Sequence, residues 1–178
     1  MRLLLIGIQG AGKSTQGNLL SQKLAVPYLS SGHIFREMAK EKTKLGRMLK
    51  ETLNSGALVP DDLTLKIVLA YLNRPEYANG FILDGFPRTE PQAEVFNGKI
   101  DKVGYIKVSD KEALWRIAGR DDSREDETLQ AIRQRIGLFH KVTEPVVKYY
   151  QQQGKLVEVD GEQPVEEVFQ DILRAIAE

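Results

Sequence analysis

Cysteine is absent from this chain of 178 residues, which excludes disulfides and thiolate zinc sites and fits a reducing compartment. Histidine is almost as scarce. His33 and His140 stand alone, and with no Cys or second His at ligand spacing from either, no zinc is expected. A charge excess is missing too, since 25 basic residues balance 25 acidic ones. No global field therefore draws the chain to nucleic acid or an anionic membrane. The apolar run Leu3-Leu4-Leu5-Ile6 meets glycine at once, so it is too short for a bilayer and does not read as a signal peptide. The expectation is a soluble, cytoplasmic, monomeric protein without nucleic-acid or membrane partners. Aromatic residues make up only 7% of the chain, and Trp115, Tyr149 and Tyr150 are read as packing residues rather than base-stacking platforms. Repeats and low-complexity linkers are lacking, and the length suits one domain spanning residues 1–178.

What is present begins directly after that apolar run. Gly7-Ile8-Gln9-Gly10-Ala11-Gly12-Lys13-Ser14 fits G-x-x-x-x-G-K-[ST] without mismatch. The run before it reads as a buried parallel strand, and residues 14–25 read as a helix with Leu19, Leu20 and Leu24 on one side. Strand, glycine loop and helix are the context a phosphate-binding loop requires. Glycines let backbone N–H groups turn toward phosphate oxygens, and the helix N-terminus adds partial positive charge. Lys13 would supply a full charge near the β- and γ-phosphates, and Ser14 a hydroxyl for magnesium.

Further along, strands and helices alternate, which predicts an α/β fold with a parallel sheet. Residues 26–29, 81–84, 105–108 and 156–159 read as the remaining strands, giving five. Between the second and third, residues 34–44 and 45–53 carry apolar residues at helical spacing, with Gly56 as a C-cap. Residues 30–59 are thus expected to form a small helical insertion. Pro60-Asp61-Asp62 opens a further helix with Leu65, Val68, Leu69 and Leu72 on its face. Asp110 is expected to cap a helix ending near Gly119, and the polar residues 120–127 to form an exposed loop. A helical pattern through Leu129, Ile132, Ile136 and Phe139 should break or kink at Pro145. Pro164 opens a closing helix.

A second constellation follows the strand at 81–84. Asp84 at the C-terminal end of a buried strand is placed to organise magnesium. Gly85 allows close approach of a ligand, and Pro87 stiffens the loop that aims Arg88. Arginines also stand at several element ends: Arg36, Arg116, Arg120, Arg124, Arg133 and Arg135. Phosphoryl transfer needs such rigid, permanently charged donors to neutralise the transferred group. For Arg116 and Arg133 a plain solvated helix face is an equal alternative. His140 is read as structural and His33 as a polar group beside phosphate.

These residues together resemble the nucleoside monophosphate kinases, and among them the adenylate kinases, over essentially the whole chain. Gly7 to Gln16 looks like the family's phosphate loop, and Asp84-Gly85-Phe86-Pro87-Arg88-Thr89 with Gln92 is the most specific block. Arg116-x-x-x-Arg120, Arg124-x-Asp126-Glu127 and Arg133-x-Arg135 are similar to its arginine series. The resemblance implies a P-loop NTPase three-layer fold, a five-stranded parallel sheet flanked by helices. Residues 30–59 would be the monophosphate-binding insertion and 120–127 a minimal lid. It implies the reaction Mg·ATP + AMP ⇌ 2 ADP, with ATP, AMP and ADP as partners and Mg2+ as cofactor. Gly10, Ala11, Gly12, Lys13, Ser14, Thr15, Arg116, Arg120 and the Gln163 carbonyl would hold ATP. Ser31, Arg36, Ala57, Val59, Gly85, Arg88, Gln92, Arg124 and Arg135 would hold AMP. Lys13, Arg88, Arg120, Arg124 and Arg135 would be catalytic, and Ser14 and Asp84 would serve the metal, partly through water.

The chain departs from the family pattern at Ser14, where glycine is usual, at Ser31 for threonine and at His33 for aspartate. Only Asp121-Asp122-Ser123 separates Arg120 from Arg124, so shielding of ATP should be poorer and hydrolysis leakier than in long-lid relatives. A UMP/CMP kinase is the nearest alternative, disfavoured because those relatives typically carry asparagine at the positions of Thr89 and Gln92. A nucleotide-binding module without turnover is the other, disfavoured by so many converging cations.

Overall fold

The computed structural model describes residues 1–120 and 126–177. Five strands form one parallel sheet: β1 (Arg2–Ile6), β2 (Tyr28–Ser30), β3 (Phe81–Asp84), β4 (Lys102–Lys107) and β5 (Leu156–Asp160), in the order β2-β3-β1-β4-β5. The apolar run of the N-terminus is the middle strand, and Leu3, Leu4 and Leu5 are buried because helices cover both faces of the sheet. In register, Leu5 and Ser30 both pair with Asp84. The C-terminal ends of β1, β2 and β3 therefore open onto one edge, where ligands bind in sheets of this kind.

Helix α1 (Lys13–Leu24) returns from β1, and α2 (Ser31–Ala39) and α3 (Lys44–Ser55) stand between β2 and β3 with α4 (Asp61–Leu72). Ser30 caps α2, Thr43 caps α3, and Gly56 ends α3 at φ 75°, as its C-cap position requires. On α4 the fully buried side is Thr64, Ile67 and Val68, with Leu65, Leu69 and Leu72 only part-buried, so the buried stripe is rotated from the expected one.

The second half supplies α5 (Glu90–Phe96), α6 (Asp110–Ala118), α7 (Leu129–Leu138), α8 (Glu144–Gln152) and α9 (Val165–Ala177). Ser109, not Asp110, caps α6: its hydroxyl accepts from the Glu112 amide, and Asp110 is the first helical residue. Between α7 and α8 the chain makes a π-helical turn over Phe139–Thr143, and Pro145 follows in the first turn of α8. Proline lacks the N–H that would continue the ladder, which accounts for the break at that point. Two apolar expectations fail here. Trp115 is 73% exposed and Leu129 61% exposed, because α6 turns Ala113 and Ile117 inward and α7 turns Ala131 and Ile132 inward. Among described residues no helix is long and apolar enough to cross a membrane.

Candidate active site

The loop between β1 and α1 is shaped by its glycines. Gly10 and Gly12 sit at φ 89° and 91°, and a Cβ on Gly10 would lie 2.7 Å from the Ala113 carbonyl oxygen of α6. The loop backbone therefore packs on α6 without side chains between them. The Lys13 ammonium donates to the carbonyls of Gly7 and Ile8 at 2.8 and 3.1 Å, so the lysine folds back over its own loop. No side chain caps the N-terminus of α1, and its first turn carries Ser14 on the cleft.

Across the cleft, β3 ends in Asp84, buried at 7% exposure. Its Oδ2 accepts from the Tyr28 hydroxyl at 2.9 Å, whereas Oδ1 is buried without a hydrogen-bond partner. Burial first, and then the Asp84 carboxylate, push the Tyr28 phenol far above its ordinary range, so it stays a proton donor at any physiological pH. Gly85 follows at φ 79°, where a Cβ would lie 2.6 Å from Ser31 Oγ. The Gly85 carbonyl accepts from Ser31 Oγ at 2.8 Å and from Arg88 Nε at 2.7 Å. The Phe86–Pro87 peptide is cis.

Arg88 is a part-buried cation. Desolvation lowers its pKa, Asp84 opposes that, and the positive charges of Arg135 and Arg36 add to the lowering. A guanidinium stays protonated regardless, and among described residues Arg88 has no ion-pair partner. Its backbone is fixed from two sides: its amide donates to Gln92 Oε1, and its carbonyl accepts from Thr143 Oγ1 of the π-helical turn, both at 2.8 Å. Gln92 Nε2 donates to Asp61 Oδ1 at 2.7 Å, and Thr89 Oγ1 donates to the same oxygen at 2.8 Å.

Three further arginines meet carboxylates. Arg120 Nη1 pairs with Glu127 Oε1 at 2.7 Å and Arg135 Nη2 with Asp126 Oδ2 at 2.7 Å. Arg135 Nη2 also donates to the Leu53 carbonyl of α3. Arg116 lies to one side, joining Glu112 to the carbonyl of Gly161 after β5. The nearby Gln163 amide donates to the Asp160 carbonyl and Asp171 Oδ2.

One cleft thus collects Gly10, Gly12, Lys13, Ser14, Arg36, Ala57, Val59, Asp84, Gly85, Arg88, Gln92, Arg120 and Arg135. Ala11 and Ser31 are buried beside it, Thr15 is exposed on the first turn of α1, and Arg116 and Gln163 sit together near Gly161. Arg124 and most of the 120–127 loop lie outside the described residues. His33 is exposed and does not line the cleft, in contrast to the expectation that placed it beside phosphate; its backbone amide donates to Ser30 Oγ. Arg133 is on the solvated face of α7. Sequence reasoning gave no role to Gln9, Tyr28, Asp61 or Thr143. Asp126 and Glu127 stood inside a quoted motif, and their acidic pairing with its arginines was the available signal.

Residues of loops and of helices α1, α2 and α7 bring cations and backbone amides into one space, beside a buried carboxylate. Magnesium fits here: Asp84 keeps one carboxylate oxygen, Oδ1, out of water with no donor, and Asp84 and Ser14 line the same cleft. Among described residues there is no group of three or more His, Cys, Asp or Glu that could hold a metal ion. Fold and site together define an α/β P-loop enzyme of phosphate chemistry.

Comparison with known proteins gives the particular family. The adenylate kinase family model matches residues 5–155. The adenylate kinase of Nocardia farcinica is 41% identical over 183 residues, covering 99% of this chain and 99% of its own. That of Acetivibrio thermocellus is 38% identical over 213 aligned residues, covering 99% and 98%, and that of Nitrobacter hamburgensis is 38% identical over 193, covering 100% and 93%. The chain belongs to the adenylate kinase family, and it is an enzyme. The Acetivibrio alignment runs to 213 positions against 178 residues here, so that relative carries residues this chain lacks.

Proposed function

We propose that the chain transfers the terminal phosphoryl group of Mg·ATP to AMP, reversibly, giving two ADP. The observation that carries this reading is Arg88: a desolvated guanidinium with no ion-pair partner among described residues, aimed across a cleft from the phosphate loop. Leaving such a charge unmatched is costly, and a phosphate dianion is the counter-charge that its planar fork fits. Family membership supports AMP as the carrier of that phosphate.

In this reading the loop amides of residues 10–15, with Lys13, hold the ATP phosphates. Lys13 exchanges the Gly7 and Ile8 carbonyls for phosphate oxygen, trading neutral acceptors for an anionic one. Arg36 and Arg88 hold the AMP phosphate, and Arg120, Arg124 and Arg135 neutralise the oxygens of the group in flight. Ser14 and Asp84 would hold magnesium, which would supply positive charge against the phosphates. Ser31 positions Gly85 through its 2.8 Å bond. Gln92, Ala57 and Val59 recognise the AMP base, while Arg116 and the Gln163 carbonyl flank the ATP base. Residues 30–59 act as the monophosphate-binding insertion and 120–127 as a very short lid over ATP.

The test is ADP formation from Mg·ATP with AMP, UMP, CMP, GMP and dTMP in parallel, beside an acceptor-free control. Preference for AMP is expected. Equal rates with pyrimidine monophosphates would move the reading to a broad-specificity kinase, and ATP loss independent of acceptor would refute transfer.

A further inference from the structure

Gln9 occupies a position that the phosphate-loop pattern leaves open, yet its side chain does not dangle. Its Nε2 donates to Glu127 Oε1 at 3.0 Å, and its Oε1 accepts from Arg135 Nη1 at 3.5 Å. The same Glu127 oxygen takes Arg120 Nη1 at 2.7 Å, and Arg135 also holds Asp126. The result is a chain of contacts, Arg120–Glu127–Gln9–Arg135–Asp126, with a phosphate-loop residue in the middle. The orientation of the amide follows from chemistry. Reversed, it would set NH2 against a guanidinium and oxygen against a carboxylate, so only one of its two settings satisfies both neighbours.

From this we infer that Gln9 is a positioning residue for the arginines, tying the phosphate loop to the Asp126-Glu127 segment at the base of the short lid. The inference deepens the phosphotransfer reading and rests on it for its kinetic arm. Gln9 touches no reacting atom. It sets where Arg120 and Arg135 stand relative to the loop that holds the ATP phosphates, and it does so with one neutral side chain bound to both charge pairs. Loop and arginines then move as one unit. Glu127 is shared between an arginine and an amide, so loss of the amide loosens Arg120 as well as Arg135. Small misplacements of such donors slow transfer more than they weaken substrate binding.

Three variants test this. Gln9→Leu removes both polar ends at similar volume, and Gln9→Glu keeps an acceptor toward Arg135 but sets a second carboxylate against Glu127. The double variant Gln9→Glu with Glu127→Gln returns a donor to that contact. We expect kcat to fall about 3–10-fold in Gln9→Leu and further in Gln9→Glu, with KM for AMP nearly unchanged. The double variant should recover part of the Gln9→Glu loss. Amide exchange over residues 126–135, measured without nucleotide, should quicken in both single variants. Wild-type kcat and exchange in Gln9→Leu and Gln9→Glu, or a double variant no better than Gln9→Glu, would overturn the inference. Failure of the wild-type chain to make ADP from ATP and AMP would refute the reaction instead, and the nucleotide-free exchange would still decide the tie.

Discussion

The Tyr28 hydroxyl donates to one oxygen of Asp84 and leaves the other oxygen of that carboxylate buried and unpartnered. A strand residue from β2 thereby fixes the rotation of the carboxylate at the end of β3, and with it which oxygen is left open to the proposed magnesium. Tyr28→Phe keeps the ring, whose edge already packs where a Gly17 side chain would be, and deletes only the donor. Removing it leaves a buried carboxylate oxygen unsatisfied, at a cost of about 1–2 kcal/mol, or roughly 2–8 °C in Tm for a domain of this size. Thermal melting checks the stability, and the magnesium dependence of the rate should move to higher concentration. An unchanged melt and magnesium profile would dissociate Tyr28 from Asp84.

Arg88 predicts an opposite pattern, in which stability and function separate. In Arg88→Met a desolvated cation beside Arg36 and Arg135 is replaced by an apolar chain of similar length. The lost bond to Gly85 and the relieved desolvation should nearly cancel, leaving the nucleotide-free Tm within about 3 °C of wild type. The rate should fall by roughly 10²-fold or more, as for loss of one charge-stabilising donor. Melting curves with and without added AMP separate the two effects: the stabilisation by AMP should vanish in the variant.

Tyr150 offers a gain. Its ring is fully buried, yet its hydroxyl has no hydrogen-bond partner, and burial raises its pKa far beyond the usual phenol range. Tyr150→Phe removes an unsatisfied polar atom from the core and should stabilise by about 1 kcal/mol, some 2–4 °C in Tm. Kinetics should not change, since α8 carries no residue of the cleft. A lower Tm would mean that the hydroxyl has a partner in solution.

His140 joins the start of α6 to the start of α8, with Nδ1 2.7 Å from Glu144 and Nε2 2.8 Å from Asp110. The Glu144 bond first, with Asp110 adding to it against partial burial, raises its pKa above the ordinary 6.5. Stability from this clip is therefore fully present below about pH 6.5 and is lost as pH climbs through the raised value. The side chain is 43% exposed, so the contribution should stay below about 1 kcal/mol. Subtracting the Tm-against-pH curve of His140→Gln from that of wild type should leave a small decline above pH 6.5, and a flat difference would remove the clip.

Much of this molecule was legible because its signals are local. The glycine loop, the five strands, the Gly56 cap and the Pro145 break each depend on neighbours a few residues away. The α6 cap is not legible to the residue, because Ser109 and Asp110 are both good caps and only the bond to the Glu112 amide decides between them. The exposure of Trp115 and Leu129 is not legible either, because apolar character at helical spacing does not say which side of a short helix faces the core. The arginines could be named, but not their partners: Gln9 and Arg135 are 126 positions apart, and Gln9 and Glu127 are 118 apart. Contacts of that separation are set by the sheet order rather than by any stretch of chain. The bond from Thr143 to the Arg88 carbonyl is hidden for the same reason, since it joins residues 55 positions apart.

The exposed Trp115 has a practical meaning of its own. It is the chain's single tryptophan and rides on α6, one residue before Arg116, whose guanidinium reaches the Gly161 carbonyl. Indole fluorescence from this protein therefore comes from one known place, in water, on the helix packed against the phosphate loop. Any nucleotide that draws chain over that helix will shift the emission to shorter wavelength. The protein thereby carries its own optical probe of the surroundings of α6, readable in a stopped-flow instrument without a label.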